Sequence, residues 1–235
     1  MLGVEDLKQN LLLSALPDAD LARWLPLVEA VEMPLGQVLW ESGTATGHVY
    51  FPTSAVCSLF CATPGKVAIV GREGLVGVTV LMTDASLPSQ AIVQSAGRGL
   101  RIAARTVLDE FEKGGDVMRI LLRYLQALIA QMVQTAACNR VHSLDQRLCR
   151  QLLLSMDRMH TNQLETPDGL ISDMLGTSTS SAVQCVLDLQ AAGLIRYGRG
   201  QITVLSRSGL AQRTCECYAA VKRDYDERLP AALLV

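Results

Sequence analysis

The chain has 235 residues, of which 49% are hydrophobic and 19% charged, a balance that supplies a buried core and excludes a largely disordered polymer. A net charge of −2 and a pI near 5.9 exclude the uniformly basic character of a non-specific nucleic-acid binder, so any such contact has to be local. Two modules are the expectation at this length, because domains cluster near about 100–150 residues.

The opening segment carries helical spacing in Leu11, Leu12 and Leu16, then in Leu21, Trp24, Leu25 and Val28, with Asp18 or Asp20 placed to cap the second set. From Val31 to about Leu108 the texture changes to short β-branched runs at Val38-Leu39-Trp40, His48–Phe51, Val67–Val70 and Ala91–Val93. Glycines from Gly36 to Gly99 punctuate them, which predicts a compact β-barrel or roll. After Gly114-Gly115 the residues Val117, Ile120, Leu121, Tyr124, Leu125, Leu128, Ile129, Met132 and Val133 advance with helical period and predict one buried stripe. Met118, Leu122, Ala127 and Ala130 lie off that stripe, so the helix has apolar surface for a partner helix or for a second buried side within its own chain. The run Ile120–Val133 is interrupted by Arg123, Gln126 and Gln131, too polar to span a membrane.

Ser143-Leu144-Asp145-Gln146 has capping-box form and opens a helix with Leu148, Leu152, Met156 and Met159 inward. Between Asp168 and Gln190 two short helical patterns meet at Gly176, the spacing of a helix-turn-helix. Leu170, Ile171, Met174 and Leu175 face inward in the first, Ser172 is small enough for close helix approach, and Ser178 caps the second. Ala182, Cys185, Val186 and Leu189 take the inner face of the second helix, leaving Thr179, Ser180 and Gln184 outward, where they can meet base edges or remain a plain polar face. Two strands around Gly198-Arg199-Gly200 follow as a hairpin, and Arg196 and Arg199 read as phosphate or minor-groove contacts. Arg196, Arg199, Arg207 and Arg213 occur with no Asp or Glu among them, a local concentration of positive charge.

Over nearly its whole length the sequence resembles the Crp/Fnr family of transcription regulators. The C-terminal residues that carry the likeness are Met174-Leu175-Gly176, Leu189–Tyr197, Arg199–Leu205 and Cys215–Tyr218; the N-terminal ones are Val49–Pro52, Ser58-Leu59 and Gly71–Gly77. The resemblance implies an α+β chain. A double-stranded β-roll of the cyclic-nucleotide-binding type with leading helices would occupy 1–115, a dimerisation helix and hinge 116–140, and a winged helix-turn-helix domain 141–235. It further implies a homodimer meeting through Met118, Leu122, Leu125, Ile129 and Met132, with double-stranded DNA as partner and RNA polymerase as a further one. Ser178, Thr179, Ser180, Gln184, Arg196 and Arg199 are the expected DNA contacts.

Two departures bear on function. The Gly-Glu pair and the arginine that hold cyclic nucleotide in the family correspond here to Gly77-Val78 and Pro88-Ser89-Gln90-Ala91, which carry neither charge. Gly77, Val78, Ser89 and Gln90 therefore remain candidates for an effector pocket of unknown ligand, while cAMP would bury an uncompensated phosphate and is not expected. Thr179 and Ser180 stand where the family's recognition helix carries an Arg and a Glu, so operator preference has to differ, or DNA binding has been lost in favour of a dimeric sensor or interaction role.

Seven scattered cysteines without a secretory pattern read as reduced thiols of a cytoplasmic protein. Cys57/Cys61 and Cys215/Cys217 lack, in sequence, tetrahedral metal spacing with further ligands nearby, so no metal or cofactor is expected and buried thiols are the default. His48, His142 and His160 are isolated, Gly71–Gly77 lacks the Gly-Lys-Ser/Thr of a phosphate loop, and nothing points to an enzyme.

Overall fold

A computed structural model describes residues 2–40, 47–61, 65–82, 89–159, 161–167 and 169–229. Three short helices lead, α1 (Val4–Leu7), α2 (Leu11–Ser14) and α3 (Asp18–Trp24). The side chain of Asn10, not of an aspartate, caps α2 by accepting from the Leu13 N–H; α3 begins after Pro17 with no side-chain cap, and Asp18 and Asp20 sit in its first turn, where they complement the helix dipole.

Among the described residues seven strands form the roll: β1 (Glu29–Met33), β2 (Val38–Trp40), β3 (His48–Pro52), β4 (Val56–Cys61), β5 (Lys66–Val70), β6 (Ser89–Ser95) and β7 (Gly97–Ala103). They pair antiparallel in two sheets, β1-β7-β3 and β2-β6-β4-β5. Their buried apolar residues close on a shared core that includes Trp24, Val49, Phe51, Ile69, Val93 and Ile102. The glycine-rich run Gly71–Gly77 lets neighbours approach closely. A Cβ on Gly74 would fall 2.3 Å from the ring of Tyr124, whose hydroxyl donates to the Leu75 carbonyl at 2.7 Å.

After α4 (Ala104–Glu112), helix α5 (Gly115–Val141) runs for 27 residues, about 40 Å at 1.5 Å per residue. Its inward stripe is Val117, Ile120, Leu121, Tyr124, Ala127, Leu128, Gln131, Thr135 and Cys138. This corrects the sequence-based stripe: Ala127 is inward, whereas Ile129 and Val133 are 47% and 64% exposed. The helix turns inward with two polar residues that apolar periodicity passes over. Gln131 donates to the Ile69 carbonyl of β5 at 3.0 Å, and Thr135 accepts from Arg150 at 2.8 Å.

The remainder comprises α6 (Leu144–Met156), β8 (Gln163–Glu165), α7 (Leu170–Leu175), α8 (Thr179–Ala191), β9 (Ile195–Gly198), β10 (Gln201–Val204), α9 (Arg207–Arg213) and α10 (Cys217–Arg228). Ser143 and Gln146 make the expected reciprocal capping box at the start of α6. A second core gathers Leu148, Leu152, Ile171, Leu175, Val186 and Ile202. The last helix bridges the two: Tyr218 packs against both cores, while Val221 and Tyr225, with Leu229 just beyond the helix, are buried in the roll core.

Buried polar groups join the two cores. Gln94 of β6 accepts from Ser58 at 2.6 Å and from Lys66 at 3.0 Å, and donates to Ser155 of α6 at 3.0 Å. Arg158 pairs with Glu73 at 2.6 Å and lies 5.4 Å from the centre of the Tyr225 ring. These bonds position the helix-turn-helix against the roll, because removing one partner would leave a buried polar atom short of a hydrogen bond.

Candidate nucleic-acid interface

Helix α7 stops because Gly176 adopts a left-handed conformation (φ 58°, ψ 47°), and Arg147 donates to the Leu175 carbonyl left unpaired at that end. Ser178 then caps α8 by accepting from the Ser181 N–H at 3.2 Å. Its hydroxyl also lies 3.0 Å from that of Ser180, so two of the hydroxyls expected to contact DNA are partly engaged in the cap. Ala182, Cys185, Val186 and Leu189 are buried, and Thr179, Ser180 and Gln184 are exposed. The Gln184 amide donates to Asp188 one turn later at 2.8 Å, which places a carboxylate on the same helix surface.

Sequence reasoning passed over Val183 and Leu187, which are 39% and 43% exposed on the outer face of α8. Their signal is present as two apolar residues four apart, off the inward stripe. A β-branched and a branched aliphatic side chain among hydroxyls suit the methyl group of thymine, the one apolar feature of the major groove.

The hairpin β9–β10 pairs Gly198 with Gln201 across a two-residue tip, Arg199-Gly200. Both tip residues have positive φ, 53° and 69°, the twist that matches a two-residue hairpin turn. Arg199 is the sole non-glycine with positive φ among the described residues, and it is exposed at the tip of the hairpin. Arg196 and Arg199 are exposed and have no carboxylate partner among the described residues. The expected concentration of four arginines shrinks to these two: Arg207 pairs with Asp157 at 2.5 Å and Arg213 with Asp145 at 2.7 Å, partners distant in sequence that a local count of charges does not show.

In the roll, Gly77 has φ 105° and opens a short 3-10 turn in which Val78 is buried, and Gln90 lies opposite Phe60 on β6. A cavity of about 240 Å³ lies elsewhere, between Leu11, Arg72, Glu73, Asp157, Arg158 and Tyr225. Pro88, His160 and Asp168 lie outside the described residues, as does the side chain of Ser89.

Every cysteine except Cys61 is buried. Burial pushes the thiols of Cys149 and Cys185 up to about 12 and about 11, which keeps them protonated and unreactive. The expectation that Cys215 and Cys217 lack further ligands nearby is corrected. Their sulfurs lie within 4.8 Å of Cys138 Sγ and a ring nitrogen of His142, residues more than seventy positions earlier that only the packing of α10 on α5 brings close.

Comparison with known proteins places this geometry. Residues 146–213 match the Crp-like helix-turn-helix domain. A Crp/Fnr-family transcriptional regulator from Eubacterium rectale superposes with a TM-score of 0.66 at 15% identity, over 86% of this chain and 96% of that one. FixK2 from Bradyrhizobium japonicum gives 0.63 at 16% identity, over 80% and 98%. The c-di-GMP-responsive global regulator CLP of Xanthomonas campestris gives 0.63 at 15%, over 81% and 100%. No curated protein matches the chain in sequence. The expected architecture is met: an N-terminal region of antiparallel sheets, the long helix α5, and a C-terminal segment that matches the Crp-like helix-turn-helix domain.

Proposed function

We propose that this chain is a transcription regulator of the Crp/Fnr type, which binds an inverted-repeat DNA operator as a homodimer. The observation that carries the reading is the exposed outer face of α8 beside an arginine-tipped wing, within the segment that matches the Crp-like helix-turn-helix domain. Thr179, Ser180, Val183, Gln184 and Leu187 would face base edges, with Arg196 and Arg199 on the phosphates or in the minor groove.

The dimer rests on the outward face of α5. Met118, Leu122, Leu125, Ile129 and Met132 follow one another at alternating spacings of four and three, the repeat of a coiled-coil seam. All are exposed or half-exposed despite being apolar, and a second copy of the same helix covers such a stripe on both protomers at once. Pairing along this helix would set two recognition helices about 34 Å apart, one turn of duplex. A signal received by the roll would act by changing that spacing.

Cyclic AMP is not the expected signal, because Gly77-Val78 and Pro88–Ala91 carry neither a carboxylate for the ribose nor an arginine for the phosphate. Titration calorimetry that detected micromolar or tighter cAMP affinity would contradict this. The Asp188 carboxylate on the reading helix and the pairing of Arg207 and Arg213 favour one alternative, a dimeric sensor that keeps the scaffold without operator recognition. Selection of genomic fragments on the purified full chain separates the two. An enriched inverted repeat supports the regulator, and retention without a motif that vanishes with added salt supports the alternative.

A further inference from the structure

Four side chains that DNA reading does not use meet where α5 ends. Cys138 lies in the last turn of α5 and His142 is its C-cap; Cys215 and Cys217 flank Glu216 at the start of α10. Cys138 Sγ is 3.6 Å from Cys215 Sγ, and Cys217 Sγ is 3.5 Å from His142 Nδ1. All four ligand atoms lie within 4.8 Å of one another. A tetrahedral Zn²⁺ with bonds of about 2.3 Å to sulfur and about 2.0–2.1 Å to nitrogen has S–S edges near 3.8 Å and S–N edges near 3.6 Å. These two separations match those edges, and the S–S distance is far from the ~2.05 Å of a disulfide.

The surroundings have the second layer that such a site needs. His142 Nε2 faces Glu216 Oε1 at 3.3 Å, which fixes the tautomer and turns the Nδ1 lone pair toward the sulfurs. Gln134 Nε2 donates to Cys217 Sγ at 3.0 Å, an interaction that stabilises a thiolate. An independent observation is Arg150, which is 1% exposed and anchored on Thr135, one turn before Cys138 on α5. Its Nη2 donates to Thr135, but its Nε and Nη1 have no partner among the described residues. A buried guanidinium so placed requires negative charge nearby. Three thiolates and a neutral imidazole around a dication carry one net negative charge, which supplies it.

We propose that Cys138, His142, Cys215 and Cys217 bind one Zn²⁺ in a closed Cys3His site. Four protein ligands leave no open position, so the metal is structural; sulfur and nitrogen donors in a tetrahedron select zinc over calcium or magnesium. Binding displaces three thiol protons to solvent and moves no electrons. Residues 146–213, the matched helix-turn-helix domain, lie between the two halves of the ligand set, so the ion fastens both ends of that domain to the base of α5. The site is independent of whether DNA is read.

The test uses the full chain, purified without a histidine tag under reducing conditions. Elemental analysis should find one zinc per chain. Protein stripped with chelator and reloaded with Co²⁺ should show the intense visible absorption of a tetrahedral thiolate complex, and reloading zinc should raise Tm. C138S, C217S and H142A should each weaken zinc affinity at least about tenfold, whereas C61S, at the exposed cysteine of the roll, should keep a full equivalent. Should a variant fail to fold, the stripped and reloaded wild-type chain still decides. The proposal is overturned by metal-free protein that gives no tetrahedral Co²⁺ spectrum, by a Cys138–Cys215 disulfide in reduced preparations, or by iron and acid-labile sulfide in place of zinc.

Discussion

Single side chains in this protein do opposite things with charge. Lys66 is 1% exposed and its ammonium has Gln94 as its hydrogen-bond acceptor, so burial, with Arg150 and Arg158 adding repulsion, lowers its pKa well below 10.5. Below pH 10.5 the unfolded chain therefore holds a proton that the folded chain tends to give up. Stability contributed at this residue falls as pH falls, until the folded group is itself protonated. Lys66→Met removes that penalty without orphaning Gln94, whose oxygen still accepts from Ser58 at 2.6 Å. We expect K66M to gain about 1–3 kcal/mol near neutral pH and the gain to narrow toward about pH 10; urea midpoints of both chains at the two pH values measure it, and a constant gap refutes the account. On the surface, charge acts through counterions. With Arg196 and Arg199 as the free cations of the wing, a dimer has four such contacts, and the slope of log K against log salt should be modest, about −3.6. R199A should weaken all sequences alike and flatten that slope by about 2 per dimer. Q184A should instead relax preference at one base pair of each half-site, a loss of about 1–3 kcal/mol in discrimination read by competition binding.

Among elements, α5 shows how one helix serves two surfaces. Its roll-facing side is fixed by Tyr124 against Gly74 and by Gln131 on the Ile69 carbonyl, while Leu122 and Ile129 remain 44% and 47% exposed. L122D and I129D together place carboxylates in the proposed seam without touching the roll core, so the chain should fold yet sediment as a monomer and lose operator binding. A wild-type chain that sediments as a monomer at cellular concentration would remove the dimer altogether. Much of the architecture was legible at this scale: the capping box at Ser143, the turn at Gly176 and the Arg199-Gly200 tip are local chemistry, written in neighbouring residues. The inward stripe of α5 was misread where polar residues replace apolar ones, since Gln131 and Thr135 are buried by hydrogen bonds that hydropathy does not register. Val183 and Leu187 were missed because an exposed apolar residue on a helix resembles core until the packing is known. The thiol and imidazole cluster was invisible for a different reason: its two halves are separated by the whole helix-turn-helix and meet only when α10 returns to α5.

For the whole molecule the decisive feature is that the helix-turn-helix part is docked and not tethered. Ser155 and Arg158 of the segment around α6 are held by Gln94 and Glu73 of the roll, and the turn at Gly176 approaches Gly65, where an added Cβ would lie 3.9 Å from its Cα. In this arrangement the outer face of α8 is open to solvent, so docking presents it in a fixed orientation and spares the loss of freedom that a loosely tethered reader would incur on binding. Glu73→Gln keeps the shape and removes the charge opposite Arg158, whose side chain is 6% exposed. Breaking one partner of such a buried pair costs about 3–5 kcal/mol. Neither residue belongs to the helix-turn-helix core, so the loss should appear as undocking and not as unfolding of that domain. E73Q should therefore become more susceptible to trypsin at Arg140 and Arg147, around the junction of α5 and α6, keep its helical circular dichroism, and bind the selected operator more weakly. Unchanged cleavage together with unchanged affinity would show that the docked arrangement does not govern DNA binding. Tighter binding would show that docking restrains the reader, and that a signal acts by releasing it.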